Sequence, residues 1–117
     1  AIVHDRSCIS DDQVAEYARA WQTREGVRAA LAVGRRIVPE GLDGISERYR
    51  ELDVPTLLLW GDRDEVIPLW VGRRLEREMP DALLVVLDEC GHMAPDERPE
   101  VAWEVVEAFL DGTRGRA

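Results

Sequence analysis

Two short apolar runs organise the second half of the chain, and each ends abruptly in polar residues. Residues 54–60 read VPTLLLW, entered through Pro55 and closed by Gly61, and residues 82–87 read ALLVVL. Runs of this length, without alternation, predict strands that are apolar on both faces, as a parallel sheet covered by helices requires. Asp62, Arg63, Asp64 and Glu65 follow the first run, and Asp88, Glu89, Cys90, Gly91 and His92 follow the second. Pro68 suits the first position of a helix that residues 69–79 continue, with either Val71, Leu75 and Met79 or Val71, Arg74, Leu75 and Glu78 sharing a face, and Pro80-Asp81 ending it. The loop 88–97 leads to Pro99, which opens a last helix over 100–111. Val101, Ala102, Val105, Ala108 and Phe109 are expected to face the sheet, and residues 112–117 to fray. Strand, helix, strand, helix predicts an α/β class with two parallel strands joined by a right-handed crossover.

The first half patterns as helices. Ser10-Asp11-Asp12-Gln13 forms a capping-box sequence with two acids in the first turn. Val14, Tyr17, Ala18 and Trp21 follow at helical spacing, and Thr23 caps a second helix to about Arg36 with Val27, Ala30, Leu31 and Gly34 inward. Both stripes are expected to pack helix against helix. Residues 39–44 (PEGLDG) form a turn-rich linker, and 45–52 predict one or two helical turns with Tyr49 and Leu52 inward. The division expected is 1–44 and 45–117. Residues 1–9 lack periodicity and are expected to be mobile unless tied down. His4, Asp5 and Ser7 are too close in sequence to hold a triad's geometry.

The second half resembles the carboxyl-terminal part of the α/β-hydrolase superfamily. Gly61, Asp64 and Pro68 meet a strand followed by Gly-x-x-Asp-x-x-x-Pro; Gly91 and His92 meet the later Gly-His pair, with Glu97 and Pro99 beyond it. The likeness is close over 54–110 and loose over 10–50, which resembles the end of a helical cap that roofs the family's pocket. Tyr17 or Trp21 would then line a cavity. The resemblance implies a partial α/β-hydrolase in which Asp64 is the acid and His92 the general base of a triad. Neither the family's Gly-x-Ser-x-Gly nor its earlier His-Gly oxyanion segment occurs, so the nucleophile is expected upstream of residue 1.

Physical chemistry supports that pairing, because a histidine serves as a base when a carboxylate fixes its tautomer and steadies the imidazolium. Asp62 is the alternative acid; otherwise it is a turn residue bonding its own backbone. Glu97 is expected to brace the histidine loop, and Asp88 and Glu89 to be solvated. A metal site at Asp62, Asp64 and Glu65 is disfavoured, since only acids are offered and Arg63 lies among them. No metal or cofactor is expected. Ser7, Ser10 and Ser46 are the only serines, and none has a strand–turn–helix context.

Composition narrows the partners. A net charge of −9 on 117 residues disfavours nucleic acid and an anionic membrane surface. All the basic residues are arginine. Cys8 and Cys90 give neither a disulfide framework nor a metal spacing, and Cys90 reads as a small buried residue. A cytoplasmic location is expected. The chain is expected to be inactive alone and to seek a partner, its missing amino-terminal half or a second copy as a homo-oligomer. Once an upstream nucleophile is present, the expected substrate is a small-molecule ester, lactone, epoxide, haloalkane or C–C compound. The contrasting expectation is a non-catalytic hydrolase remnant that self-associates and binds or supports something.

Overall fold

A computed structural model describes residues 2–37 and 44–114. Most of the linker read at 39–44 lies outside the described residues. The chain divides into two compact units, residues 9–46 and residues 1–8 with 47–117.

The first unit is helical. The Gln13 N–H donates to the Ser10 hydroxyl at 3.2 Å and the Ser10 N–H to the Gln13 side chain at 2.9 Å, so the capping box forms as its sequence requires. It starts α1 (Asp11–Arg19), which tightens into a 3-10 turn at Ala20–Gln22. Thr23 then accepts the Gly26 N–H at 3.0 Å and starts α2 (Arg24–Gly34), two residues shorter than its pattern. The apolar stripes are not buried as expected: Val14, Tyr17, Trp21 and Leu31 are each more than half exposed. Two helices this short leave little area to cover one another.

The second unit is α/β. A 3-10 helix at Ile45–Glu51 leads into it; Tyr49 is half-buried, whereas Leu52 is exposed rather than inward. Strands β1 (Thr56–Gly61) and β2 (Ala82–Leu87) pair in parallel, from Thr56 opposite Ala82 to Gly61 opposite Leu87. β1 begins two residues later than its apolar run. Pro55 has no N–H for a ladder, and pairing opens with the Thr56 N–H to the Asp81 carbonyl at 2.8 Å. Between the strands runs α3 (Leu69–Glu78), for which Pro68 is the residue before the helix rather than its first member. Gly72 of α3 sits against the Trp60 ring and Leu84, on one face of the sheet.

The opposite face carries Leu59 and Val85, which pack on a core of Leu87, Cys90, Ala94 and Ala102. That core comes from the end of β2, its following loop, α4 (Ala94–Glu97) and α5 (Pro99–Arg114). Helices thus cover both faces, as a parallel sheet demands. The strands are only partly buried, with Leu83 51% exposed, because each has one pairing neighbour among the described residues. Glu76 reaches from α3 to accept the Leu84 N–H at 2.9 Å, meeting one backbone donor of β2 with a side chain. On α5 Ala102 is buried, while Val101 and Ala108 are exposed instead of facing the sheet. The helix also runs through Gly112 to Arg114 rather than fraying there.

The amino-terminal arm, 2–8, is tied down. The Ile2 carbonyl accepts the His92 N–H at 2.9 Å, and the His4 N–H donates to Glu97 at 2.8 Å. Asp5 accepts both the N–H and the hydroxyl of Ser7, at 2.8 and 2.7 Å, within a 3-10 turn at Arg6–Cys8.

Gly61 marks the tightest approach between the two loop-bearing strands: any Cβ there would overlap the carbonyl oxygens of Cys90 and Gly91. Because those atoms are backbone, relief requires the histidine loop to move. Gly61→Ala is expected to cost about 1–3 kcal/mol, read as a lower urea midpoint with an unchanged slope.

Candidate active site

The register of β1 and β2 brings Gly61 and Leu87 side by side, so both following loops leave the same sheet edge. Pairing continues past the strands, with the Asp62 N–H to the Leu87 carbonyl at 3.0 Å and the Arg63 N–H to the Cys90 carbonyl at 2.9 Å. The loop after β1 then folds around its own acid. Asp64 Oδ1 accepts the N–H groups of Val66 and Ile67, each at 2.8 Å, and the Trp60 indole N–H donates to the Ile67 carbonyl at 2.9 Å. One oxygen of the carboxylate is therefore held by its own loop, which leaves the other for a partner from elsewhere in the chain.

Its second oxygen, Oδ2, lies 2.9 Å from His92 Nδ1. The Asp64 side chain is 5% exposed and that of His92 34%. An ionised carboxylate accepts only, so Nδ1 carries the proton and Nε2 is the basic atom of the neutral ring. Burial pushes the Asp64 carboxyl up, but the hydrogen bonds from His92, Ile67 and Val66 together outweigh it and hold the group below the usual carboxylate value.

Asp62 takes another course. It accepts the Cys90 N–H at 3.3 Å and pairs with Arg63 at 3.2 Å, which joins the two loops but leaves the His92 ring to Asp64. This differs from the turn role read for it, since its partner is 28 positions away. Glu97 does brace the histidine loop: it is 7% exposed and accepts the N–H groups of Gly91 and Met93. Asp88 and Glu89 are exposed, and Glu89 turns the chain with φ 49°. Cys90 is fully buried, and burial with the nearby Glu97 charge pushes its thiol up to about 11. Such a thiol is inert at neutral pH.

Among the described residues, no group of three or more His, Cys, Asp or Glu side chains is placed to hold a metal ion. No helix there is long and apolar enough to cross a membrane. The Ser7 and Ser10 hydroxyls are engaged with Asp5 and Gln13. An open pocket of about 210 Å³ adjoins the pair, lined by Leu59, Trp60, Gly61, Ile67 and Ala94 together with Asp64 and His92. A larger cavity of about 370 Å³ lies at the other end of the strands, by Pro55, Asp81 and Phe109, away from the acid and the histidine. The smaller one is the site of interest because it alone of the two adjoins the hydrogen-bonded Asp64 and His92. Two contacts had no sequence signal, the Ile2 carbonyl on His92 and the Trp60 indole on the acid loop, since backbone oxygens are identical in every residue.

The profile of the alpha/beta hydrolase family matches residues 4–105. An uncharacterized hydrolase, YugF of Bacillus subtilis strain 168, is 33% identical over 93% of this chain and 39% of its own length. A 2-hydroxy-6-oxononadienedioate/2-hydroxy-6-oxononatrienedioate hydrolase of Comamonas testosteroni is 33% identical over 90% of this chain and 34% of its own. The crystal structure of a serine hydrolase involved in carbazole degradation superposes with a TM-score of 0.72 at 26% identity, over 88% of this chain and 41% of that one. The chain thus spans little more than a third of the length of these curated relatives.

The Asp64 carboxyl is more acidic folded than unfolded, so its stabilising effect is complete above the unfolded value of about 3.9. It is lost as pH falls through the lower, folded value. Asp64→Asn is expected to remove that part of the acid limb when denaturation is followed from pH 5 downward.

Proposed function

The chain belongs to the alpha/beta hydrolase family, and on that footing we propose that Asp64 and His92 are the acid and general base of a hydrolytic site. The observation that carries this reading is the 2.9 Å hydrogen bond from the His92 ring to a carboxylate 5% exposed, beside an open pocket. His92 Nε2 takes the proton of a serine hydroxyl, or of the water that cleaves the ester formed on an aspartate nucleophile, while Asp64 holds the ring in the required tautomer and stabilises the imidazolium. This sequence offers no Gly-x-Ser-x-Gly; the nucleophile, Ser or Asp, comes from a segment outside it. The helical unit at residues 9–46 supplies the end of a cap, and residues 47–117 with the arm at 1–8 the acid- and histidine-bearing part of the core.

The substrate is a small molecule with a bond open to nucleophilic hydrolysis, such as an ester. The pocket wall favours an apolar one, since Leu59, Trp60, Ile67 and Ala94 surround the polar pair. Several relatives are named as hydrolases of 2-hydroxy-6-oxo dienoates, which places carbon–carbon hydrolysis among the reactions to test first.

A second reading, a non-catalytic domain that self-associates, draws support from apolar exposure on the α/β unit. Trp70 is 62% exposed, Trp103 60% and Leu83 51%. Native mass spectrometry of the chain at micromolar concentration separates the two: a stable multiple of 13.2 kDa favours self-association. A 13.2 kDa monomer disfavours it.

The catalytic reading is tested in a polypeptide joining this chain to a nucleophile-bearing segment, assayed on p-nitrophenyl acetate and 2-hydroxy-6-oxo-6-phenylhexa-2,4-dienoate. His92→Ala is expected to lower kcat by roughly 10⁶-fold and Asp64→Asn by about 10⁴-fold. Turnover that survives His92→Ala would remove His92 from the mechanism, and a larger loss from Asp62→Asn would move the acid role to that neighbour.

A further inference from the structure

Three consecutive backbone N–H groups of the histidine loop are each met by a partner from outside that stretch. Gly91 donates to both Glu97 oxygens at 3.0 Å, and Met93 to Oε1 at 3.2 Å. Between them, His92 donates to the Ile2 carbonyl at 2.9 Å. Glu97 Oε2 also accepts the His4 N–H at 2.8 Å. One carboxylate thus joins the loop that carries the histidine to an arm 93 positions away. Glu97 makes no ion pair among the described residues and is 7% exposed. A buried polar group needs its hydrogen bonds met, and here the donors are these backbone groups.

Gly91 supplies a second, independent sign of the same arrangement. A Cβ at that position would lie 2.7 Å from both Glu97 Oε1 and the His4 nitrogen. The three segments meet so closely that only a residue without a side chain fits between them.

We propose that Glu97 is a positioning residue whose carboxylate, together with the arm at residues 2–4, fixes the orientation of the His92 ring toward Asp64. The inference rests on the reading of Asp64 and His92 as an acid–base pair. Glu97 acts through backbone and does not touch substrate. A carboxylate is needed because every partner is a donor: a glutamine would keep one oxygen but turn its own NH₂ toward donors it cannot accept from. The arm has the complementary part, since its Ile2 carbonyl holds the one loop amide that Glu97 does not.

Proton NMR of the 117-residue chain provides the test, with two readouts. The His92 Nδ1–H, bonded to Asp64, is expected well downfield of the amide region, and the amides of Gly91, His92 and Met93 are expected to be protected from exchange. In Glu97→Gln the three amides should exchange about ten- to a hundredfold faster, and the downfield signal should broaden away while far-UV circular dichroism is retained. Glu97→Asp, which keeps the charge, should restore part of the signal. His4→Pro removes the arm's donor from an exposed position, and should act in the same direction; it decides alone if Glu97→Gln loses its fold. Faster exchange with the ring signal intact would make Glu97 a structural brace only and overturn the proposal, as would protection retained in both variants. A parent chain lacking the downfield signal would instead count against the acid–base pair, and amide exchange would then still decide whether the clamp exists.

Discussion

The in-register parallel pairing of β1 and β2 is the constraint on which the candidate site depends. Gly61 and Leu87 end the two strands side by side, so the polar residues that follow each strand emerge at one edge. The crossover through α3 makes that pairing possible, because two parallel strands need a connection long enough to carry the chain back to the starting end. Sites in open α/β sheets gather at such an edge for this reason. The close contact of Gly61 with the carbonyls of Cys90 and Gly91 then sets how near the two loops can come.

From that edge inward, the polar groups are fixed by backbone more than by other side chains. Asp64 is held by two amides of its own loop before it meets His92. Asp62 holds the Cys90 amide, and Glu97 holds those of Gly91 and Met93. Each acid near the histidine loop thus has a distinct set of donors, which separates three carboxylates that composition alone treats alike. For Asp64, hydrogen bonding to the ionised form outweighs burial and holds its carboxyl below the usual carboxylate value. The result is a ring whose Nδ1 is committed to Asp64, beside an open and mainly apolar pocket.

The family relationship and the site geometry bear on different questions. The match over residues 4–105 and the relatives at 33% identity place the chain among alpha/beta hydrolases. They leave the reaction to the site, since one fold hosts many chemistries. Here the site holds a hydrogen-bonded carboxylate and histidine, and no Gly-x-Ser-x-Gly occurs in this sequence. The exposed apolar surface on the α/β unit has two competing explanations, a covering segment or a second copy.

By itself the sequence determined the elements that short-range physics controls. Ser10 and Gln13 form their capping box, Thr23 starts α2, and the apolar run at 82–87 becomes β2 without a residue's error. Asp64 and His92 were legible as candidates too, through Gly61 and Pro68 and the Gly91-His92 pair, because each follows a strand at a fixed spacing. Errors came where burial depends on neighbours. The stripes of α1 and α2, and Leu52 and Val101, read as inward but lie exposed, since periodicity states which residues share a face and not whether anything covers it. Only the tertiary structure shows that Asp64 bonds the His92 ring while Asp62 bonds the Cys90 amide, two acids a residue apart whose partners differ through the path of the loop. It alone tied the arm to the site, because the Ile2 carbonyl and the His4 N–H belong to the backbone, whose hydrogen-bonding groups carry no side-chain signature in the sequence.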